Sequence, residues 1–230
     1  MDQEFEAVIF DFDYTLGDSS AGIIECINYA LSVLGLPPET PERIRRTIGL
    51  SLVDAYAYLA GPYQQSNPDR AHAEKFARLF IERADEIMVE QTELYPGVDQ
   101  LIATLQQVGF RLGIVSTKFR YRIAAILKRE RLLHAFDVIV GGEDVAHHKP
   151  DPESLYLAVQ KLGIAPEYAL YVGDSVTDGQ AAQRAGLPFV AVLSGVTPEA
   201  SLAEYAPLAI LDSATDLAGL LQSSVNHRPT

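Results

Sequence analysis

The stretch Ala7-Val8-Ile9-Phe10-Asp11-Phe12-Asp13 contains the first apolar run of the chain, which leads directly into two aspartates. The run is short, apolar and partly β-branched, which is typical of a buried parallel strand. The aspartates follow at the carboxyl end of that strand, where open α/β sheets bind their ligands. This stretch therefore predicts the first strand of a sheet and one part of a ligand site.

Further apolar runs of the same kind alternate with longer helical patterns. They predict strands at residues 111–115, 138–140, 170–172 and 189–192. Crossover helices are predicted between them, at residues 100–108, 120–131, 152–162 and 177–185. Short strands that alternate with helices indicate an α/β fold with right-handed crossovers. We therefore predict a Rossmann-like, doubly wound parallel sheet.

One interval interrupts this alternation, because no convincing strand lies between Ser19 and Glu93. Periodic patterns predict helices at residues 22–34 and 70–88, and breaks are expected at residues 35–41 and 61–68. A helical insertion of this size, directly after the first strand, indicates a second small domain.

The predicted domain division follows from that insertion. Residues 1–18 and 94–230 should form the α/β core, and residues 19–93 an inserted α-helical cap domain. The tail after Leu221 is polar and is expected to be frayed.

Composition and charge restrict the class of function. The formal net charge is -13 and the sequence pI is about 4.7. No nucleic-acid partner is expected, because binding a polyanion needs a basic surface. No apolar run approaches the roughly 18 residues of a membrane span, and the acidic N-terminus is no secretory signal, so we expect a cytoplasmic protein. Cys26, the single cysteine, is expected to be buried.

A second acidic pair follows the strand predicted at residues 170–172. Asp174 and Asp178 stand in the run Gly173-Asp174-Ser175-Val176-Thr177-Asp178. Taken alone, these residues could simply cap the helix that follows. However, this loop and the loop at Asp11 should meet at one edge of the sheet, where several carboxylates are unfavourable without a cation. Oxygen ligands select a hard ion, and Mg²⁺ suits a few carboxylates with a substrate phosphate.

Groups of opposite charge are predicted at two other strand ends. Ser116-Thr117-Lys118 offers hydroxyls and backbone N–H groups at the start of a helix, which is typical of an anion site. Lys149 stands in a loop braced by Pro150, which can direct its ammonium toward the carboxylates. The preceding histidines do not indicate zinc, because neighbouring side chains point apart and no further His or Cys cluster offers ligands.

These four signals, in this order at successive strand ends, resemble the four motifs of the haloacid dehalogenase-like hydrolase superfamily, which consists mainly of phosphatases. The motifs appear as Asp11-Phe12-Asp13-Tyr14-Thr15, as Ser116, as Lys149-Pro150, and as Gly173-Asp174 through Asp178. The resemblance covers essentially the whole chain, including a helical cap inserted after the first motif. The sequence is most similar to the phosphoglycolate phosphatase-like and pyrophosphatase-like subgroup.

The resemblance implies catalytic roles for the first, second and third motifs. Asp11 would be the nucleophile that becomes phosphorylated. Asp13 would protonate the leaving oxygen and then deprotonate the hydrolytic water. Ser116 would hydrogen-bond a phosphoryl oxygen, and Lys149 would offset the negative charge of nucleophile and phosphate.

The resemblance also implies a metal site and a substrate site. Mg²⁺ would be held by the carboxylates of Asp11 and Asp174 and by the backbone carbonyl of Asp13, with Asp178 supporting it from the outer shell or through water. The implied substrate-binding residues are Thr117, Lys118, Arg46 and Tyr14.

Two of these substrate-binding residues bear on selectivity. The family usually has glycine after the second aspartate, where this chain has Tyr14, so a side chain is expected near the cap hinge, narrowing the entrance. Arg46 belongs to a basic segment of the cap that could be a solvated helix face. Its similarity to a substrate-facing cap loop of the subgroup implies contact with the substrate's remote anionic group.

Several related functions stay open at this point. A small phosphorylated metabolite is the implied substrate, with phosphoglycolate first and inorganic pyrophosphate second. The presence of Asp13 argues against a dehalogenase, and Lys75 is a poor candidate for the Schiff-base lysine of a phosphonoacetaldehyde hydrolase. A β-phosphoglucomutase-like phosphomutase is the enzymatic alternative, although no histidine follows the first motif. A catalytically silent module is disfavoured because Asp11, Asp13, Lys149 and Asp174 are all present. Monomer and homodimer are both compatible.

Overall fold

The structure is a computed structural model that describes residues 5–61 and 70–225. The chain divides into two compact units. The first contains the residues up to Gly17 and those from Leu94 onward, and the second contains Asp18–Glu93. None of the described helices is both long and apolar enough to cross a membrane.

The strands form one large and one very small sheet. They are β1 (Ala7–Phe10), β2 (Gly17–Asp18), β3 (Glu93–Leu94), β4 (Arg111–Val115), β5 (Val138–Val140), β6 (Ala169–Gly173), β7 (Phe189–Val192) and β8 (Ala209–Leu211). Six of them form a parallel sheet in the order β5-β4-β1-β6-β7-β8, and β2 pairs with β3. In this register Phe10 lies opposite Ile114 and Val172, so the loops that follow β1, β4 and β6 leave the same edge of the sheet.

Helices connect the strands of the first unit. They are α5 (Val98–Val108), α6 (Arg120–Arg129), α7 (Glu153–Leu162), α8 (Val176–Ala185), α9 (Glu199–Ala203) and α10 (Leu217–Val225). Single 3₁₀ turns occur at Leu133–Ala135, Gly142–Asp144, Pro166–Tyr168 and Ala214–Asp216. The core lies between the sheet and α7 with α8, where residues such as Ile9, Leu155 and Ala182 are completely buried. Val8 and Phe10, which face the other side of the sheet, are also completely buried, and burial on both faces explains why the strands appear as continuous apolar runs.

The second unit is helical and has its own core. Its helices are α1 (Ser20–Val33), α2 (Pro41–Arg45), α3 (Leu52–Ala60) and α4 (Arg70–Ile87). Tyr56 of α3 packs against Phe76 of α4 with ring centroids 5.2 Å apart. Cys26 is fully buried in the same core, as its apolar neighbours suggested.

The predicted fold class is confirmed, and four of the five predicted strands have the observed bounds. The strand predicted at residues 170–172 extends by one residue at each end. The helices α2, α3, α9 and α10 and the short strands β2, β3 and β8 were not predicted. The predicted fraying after Leu221 is wrong as far as Val225, because α10 continues to that residue. Most of the break expected at residues 61–68, and the last five residues of the tail, lie outside the described residues.

Candidate active site

The loop after β1 presents Asp11 and Asp13 at the carboxyl edge of the sheet. Asp11 is anchored by its backbone N–H, which donates to the Val172 carbonyl at 2.8 Å. The loop then closes on itself, because the Phe12 carbonyl accepts from the N–H of Leu16 at 2.9 Å. Both aspartates therefore belong to a tightly hydrogen-bonded loop, which fixes the direction of their side chains.

Tyr14 adopts a backbone conformation that favours glycine. Its φ is +61°, in the left-handed region, where a side chain costs roughly 1–2 kcal/mol. Two hydrogen bonds hold the residue there: its N–H donates to the Gly17 carbonyl at 2.8 Å, and its carbonyl accepts from the Ser194 hydroxyl. A glycine would adopt this conformation without that cost, and the two hydrogen bonds hold the tyrosine in place.

Three buried carboxylates meet at this edge. Oxygens of Asp11, Asp174 and Asp178 all lie within 4.8 Å of one another. The residues are 2%, 5% and 0% exposed. In the described part of the chain, no other group of three His, Cys, Asp or Glu side chains meets this distance. The expectation that the loops after β1 and β6 converge therefore agrees with the geometry.

Lys149 is the buried cation of this cluster. Its Nζ lies 3.1 Å from Asp11 Oδ1 and 2.6 Å from Asp178 Oδ1. Nζ also donates to the Tyr171 hydroxyl at 3.1 Å, and that hydroxyl donates to Asp178 Oδ1 at 2.7 Å. Tyr171 was not among the predicted site residues. The available signal was a tyrosine, with its polar hydroxyl, in a strand whose other residues are apolar or glycine.

Asp178 uses both of its carboxylate oxygens in hydrogen bonds. Oδ1 accepts from Lys149 and Tyr171, while Oδ2 accepts from the Ser175 N–H at 3.0 Å and the Ser175 hydroxyl at 2.5 Å. Gly173 permits this approach, because a Cβ there would lie 2.6 Å from the carboxyl carbon of Asp178. An acid with so many donors is better suited to orient its neighbours than to bind a metal directly.

The Asp174 carboxylate has fewer hydrogen-bond partners than that of Asp178. The Thr15 hydroxyl donates to Oδ1 at 3.3 Å. Gly195, in the loop after β7, faces Oδ2 so closely that a Cβ would lie 1.9 Å from that oxygen. Gly195 was also missed from the sequence, where the only signal was a Ser-Gly pair shortly after a predicted strand.

The loop after β4 brings the second motif to the first. Lys118 Nζ forms an ion pair with Asp13 Oδ1 at 3.2 Å, and both residues are 8% exposed. The buried Ser116 hydroxyl accepts from the Lys118 N–H at 3.3 Å, and Thr117 between them is half-buried. This unit therefore gathers the predicted site residues of all four motifs at one edge of its sheet.

Burial and mutual repulsion control the charge of the cluster. Burial, helped by the carboxylates of Asp178 and Asp13, raises the pKa of Asp11 to about 7 against the opposing effect of Lys149. Burial also raises the pKa of Asp174 well above its ordinary range, with help from Asp178 and Asp11. Burial alone would lower the pKa of Lys149, but Asp11 and Asp178 outweigh it and the net pKa is raised. Several acids thus share one lysine.

Arg46 belongs to the helical unit, where it is exposed and follows the last residue of α2. His147 is largely exposed, and its Nδ1 lies 3.0 Å from Glu153 Oε2.

The chain matches a family model and named relatives over most of its length. The model described as haloacid dehalogenase-like hydrolase matches residues 8–192. Phosphoglycolate phosphatase of Escherichia coli (strain K12) is 32% identical over 231 residues, covering 94% of this chain and 92% of that protein. Phosphoglycolate phosphatase 1 of Pseudomonas aeruginosa is 34% identical over 212 residues, covering 91% and 77%.

A solved structure has the same fold. The crystal structure of a protein from Bacteroides fragilis, described as a haloacid dehalogenase-like hydrolase, superposes with a TM-score of 0.88 at 39% identity. The superposition covers 93% of this chain and 100% of the Bacteroides fragilis protein. The fold is therefore shared along almost the entire length.

Proposed function

The chain belongs to the haloacid dehalogenase-like hydrolase family, and we propose that it is a Mg²⁺-dependent phosphatase of small phosphorylated metabolites, with phosphoglycolate as the preferred substrate. One observation carries this proposal, namely the buried cluster of Asp11, Asp174 and Asp178 around Lys149. The named phosphoglycolate phosphatases with 32% and 34% identity support the choice of substrate.

In the first step, a carboxylate oxygen of Asp11 attacks phosphorus in line with the ester bond. The new bond joins Asp11 to phosphorus while the bond from phosphorus to the ester oxygen breaks. Asp13, two residues further in the same turn, delivers a proton to the departing oxygen. The substrate leaves as an alcohol, and the phosphoryl group stays on Asp11 as an aspartyl-phosphate.

In the second step, water attacks the same phosphorus and Asp13 removes its proton. The bond between phosphorus and Asp11 breaks, which releases inorganic phosphate and returns Asp11 as a carboxylate. Asp13 has then recovered the proton that it gave away in the first step. Lys149 offsets negative charge beside Asp11 in both steps, and Ser116 donates to a phosphoryl oxygen.

The donor set of the cluster suits a hard divalent cation. Asp11 and Asp174 would hold Mg²⁺ with the backbone carbonyl of Asp13, and Asp178 would act from the outer shell because its oxygens already accept hydrogen bonds. When bound, the ion would neutralise part of the charge on the phosphoryl group. Within the chain itself, Lys149 supplies the buried positive charge beside Asp11.

Two assignments concern substrate selection. We propose that Arg46 binds the substrate's remote anionic group and that residues 19–93 act as a cap. Thr117 and Tyr14 are proposed to complete the substrate site of the core.

A panel of phosphorylated metabolites tests the proposed function. We expect phosphate release in Mg²⁺, none in excess chelator, and a higher kcat/KM for phosphoglycolate than for pyrophosphate or sugar phosphates. A protein that releases no phosphate from any member would contradict the proposal. Transfer of phosphate between sugar positions faster than hydrolysis would favour the phosphomutase instead.

The raised pKa of Asp11 predicts how metal-free stability depends on pH. Its value of about 7 exceeds the ordinary aspartate value of about 3.9 expected in the unfolded chain. Between these two pH values the native state binds more protons than the unfolded chain does. The stabilisation by protonated Asp11 is therefore complete below the ordinary aspartate pKa and is lost as the pH rises through about 7. In chelator, the Tm of the wild type should therefore fall relative to that of Asp11→Asn between about pH 4 and about pH 7, and should level off above that.

Saturating Mg²⁺ should reduce this difference, because the ion stabilises the ionised carboxylates. The control is Asp212→Asn, which removes an exposed aspartate and should follow the wild-type curve. Parallel curves for wild type and Asp11→Asn in chelator would show that Asp11 does not titrate as its burial predicts.

A further inference from the structure

Lys118 stands out because its charge is buried outside the cluster around Lys149. The ammonium pairs with Asp13 Oδ1 at 3.2 Å, and both residues are 8% exposed. In residues 5–61 and 70–225, no second carboxylate pairs with this ammonium. A buried charge that loses its partner is strongly unfavourable, because removal from water costs several kcal/mol per ion.

The proposed reaction places a demand on that pair. Asp13 must present its carboxyl group to the leaving oxygen, so the group that compensates Lys118 becomes occupied with the substrate. A hydrogen bond from Asp13 Oδ1 to the leaving oxygen spans about 3 Å, and with the 3.2 Å ion pair at the same oxygen it puts Lys118 Nζ within about 6 Å of the leaving oxygen. A negatively charged group of the substrate at this distance from the leaving oxygen would neutralise the Lys118 ammonium in place of Asp13.

We infer that Lys118 is a specificity-determining residue, which exchanges its ion pair with Asp13 for a carboxylate on the leaving group. This inference rests on the proposed function and adds the class of substrate to it. The preferred esters carry a carboxylate one or two carbon atoms from the ester oxygen. Esters whose leaving group is uncharged leave the Lys118 ammonium without a second partner and are hydrolysed poorly.

The loop after β4 is built to hold Lys118 in this position. Its backbone N–H donates to the Ser116 hydroxyl at 3.3 Å, and the N–H of Ser116 donates to the Val140 carbonyl at 3.0 Å. The Lys118 ammonium also lies 6.0 Å from the centre of the Phe12 ring, which is within reach of a cation–π attraction. The side chain therefore starts beside the proposed leaving group and needs little rearrangement to bind its anion.

Two substrates of almost equal size provide the test. Phosphoglycolate carries the carboxylate, and 2-hydroxyethyl phosphate has an uncharged CH₂OH group in its place. We expect the wild type to prefer phosphoglycolate in kcat/KM by about 100-fold, the scale of a lost partner in a desolvated charge pair. In Lys118→Met this ratio should fall by at least about 10-fold, whereas Lys128→Met, the same change on the exposed side of α6, should leave it unchanged.

The outcomes separate the inference from the proposed function. A wild type that releases phosphate from neither ester contradicts the proposed function. A wild type that hydrolyses both esters equally well overturns the inference alone, even if Lys118→Met does not fold. The inference is also overturned if the ratio survives in Lys118→Met or is lost only in Arg46→Met, because the carboxylate would then be recognised elsewhere.

Discussion

The Asp11→Asn variant should release phosphate at least about 10⁴-fold more slowly than the wild type, which is the scale on which loss of a nucleophile lowers kcat. The amide cannot form the proposed acyl phosphate, and the variant also lacks one of the proposed metal-binding carboxylates. KM is a poor measure of this change, so single-turnover release of phosphate from phosphoglycolate is the appropriate measurement.

Folding does not confound this result. Asp11 is one of three clustered buried acids, of which Lys149 pairs with two, so its replacement by a neutral isostere removes repulsion as well as an ion pair. The variant should therefore show a cooperative thermal transition in chelator. Asp212→Asn, an exposed change of the same kind, should keep wild-type activity. Activity of Asp11→Asn within about 10-fold of the wild type would rule out a covalent intermediate on this residue.

Among these single substitutions, Lys149→Met should lower the free energy of unfolding most. Lys149 pairs with Asp11 and Asp178 and donates to Tyr171, so methionine leaves two buried carboxylates without their cation. Removing one partner of a buried pair typically costs about 3–5 kcal/mol, which corresponds to a decrease in Tm of roughly 6–20 °C for a chain of this size. Differential scanning calorimetry in chelator at about pH 8 measures it, because the acids are then most fully ionised.

A double-variant cycle separates charge from packing. If the loss comes from the unpaired carboxylates, Lys149→Met combined with Asp178→Asn should be less destabilised than the sum of the two single variants. Lys161→Met, an exposed change in the last turn of α7, is the matched control and should shift Tm by at most about 2 °C. A Lys149→Met protein with wild-type Tm would show that the network does not stabilise the fold.

Most of the large sheet could be predicted from the sequence, because its buried strands leave a strong one-dimensional signal. The exception, β8, has three residues that are each only half-buried, so its pattern resembles a loop. In the helical unit, α2 has five residues, too few for a periodic pattern. Its beginning was nevertheless marked by Thr40, whose side chain accepts from the Arg43 N–H, and by Pro41 at the first helical position.

The sequence by itself determined which residues stand at the strand ends, since an apolar run followed by Asp11, Ser116 or Asp174 is a local pattern that needs no partner to be recognised. Only the tertiary structure decided which of these side chains touch. The ion pair of Lys118 with Asp13, the contacts of Tyr171 and the close approach of Gly195 to Asp174 each join different strands or the loops that follow them. Such contacts depend on the register of the sheet and on the packing of its loops. A shift of one residue in strand pairing would change them, and no local pattern in the chain indicates them.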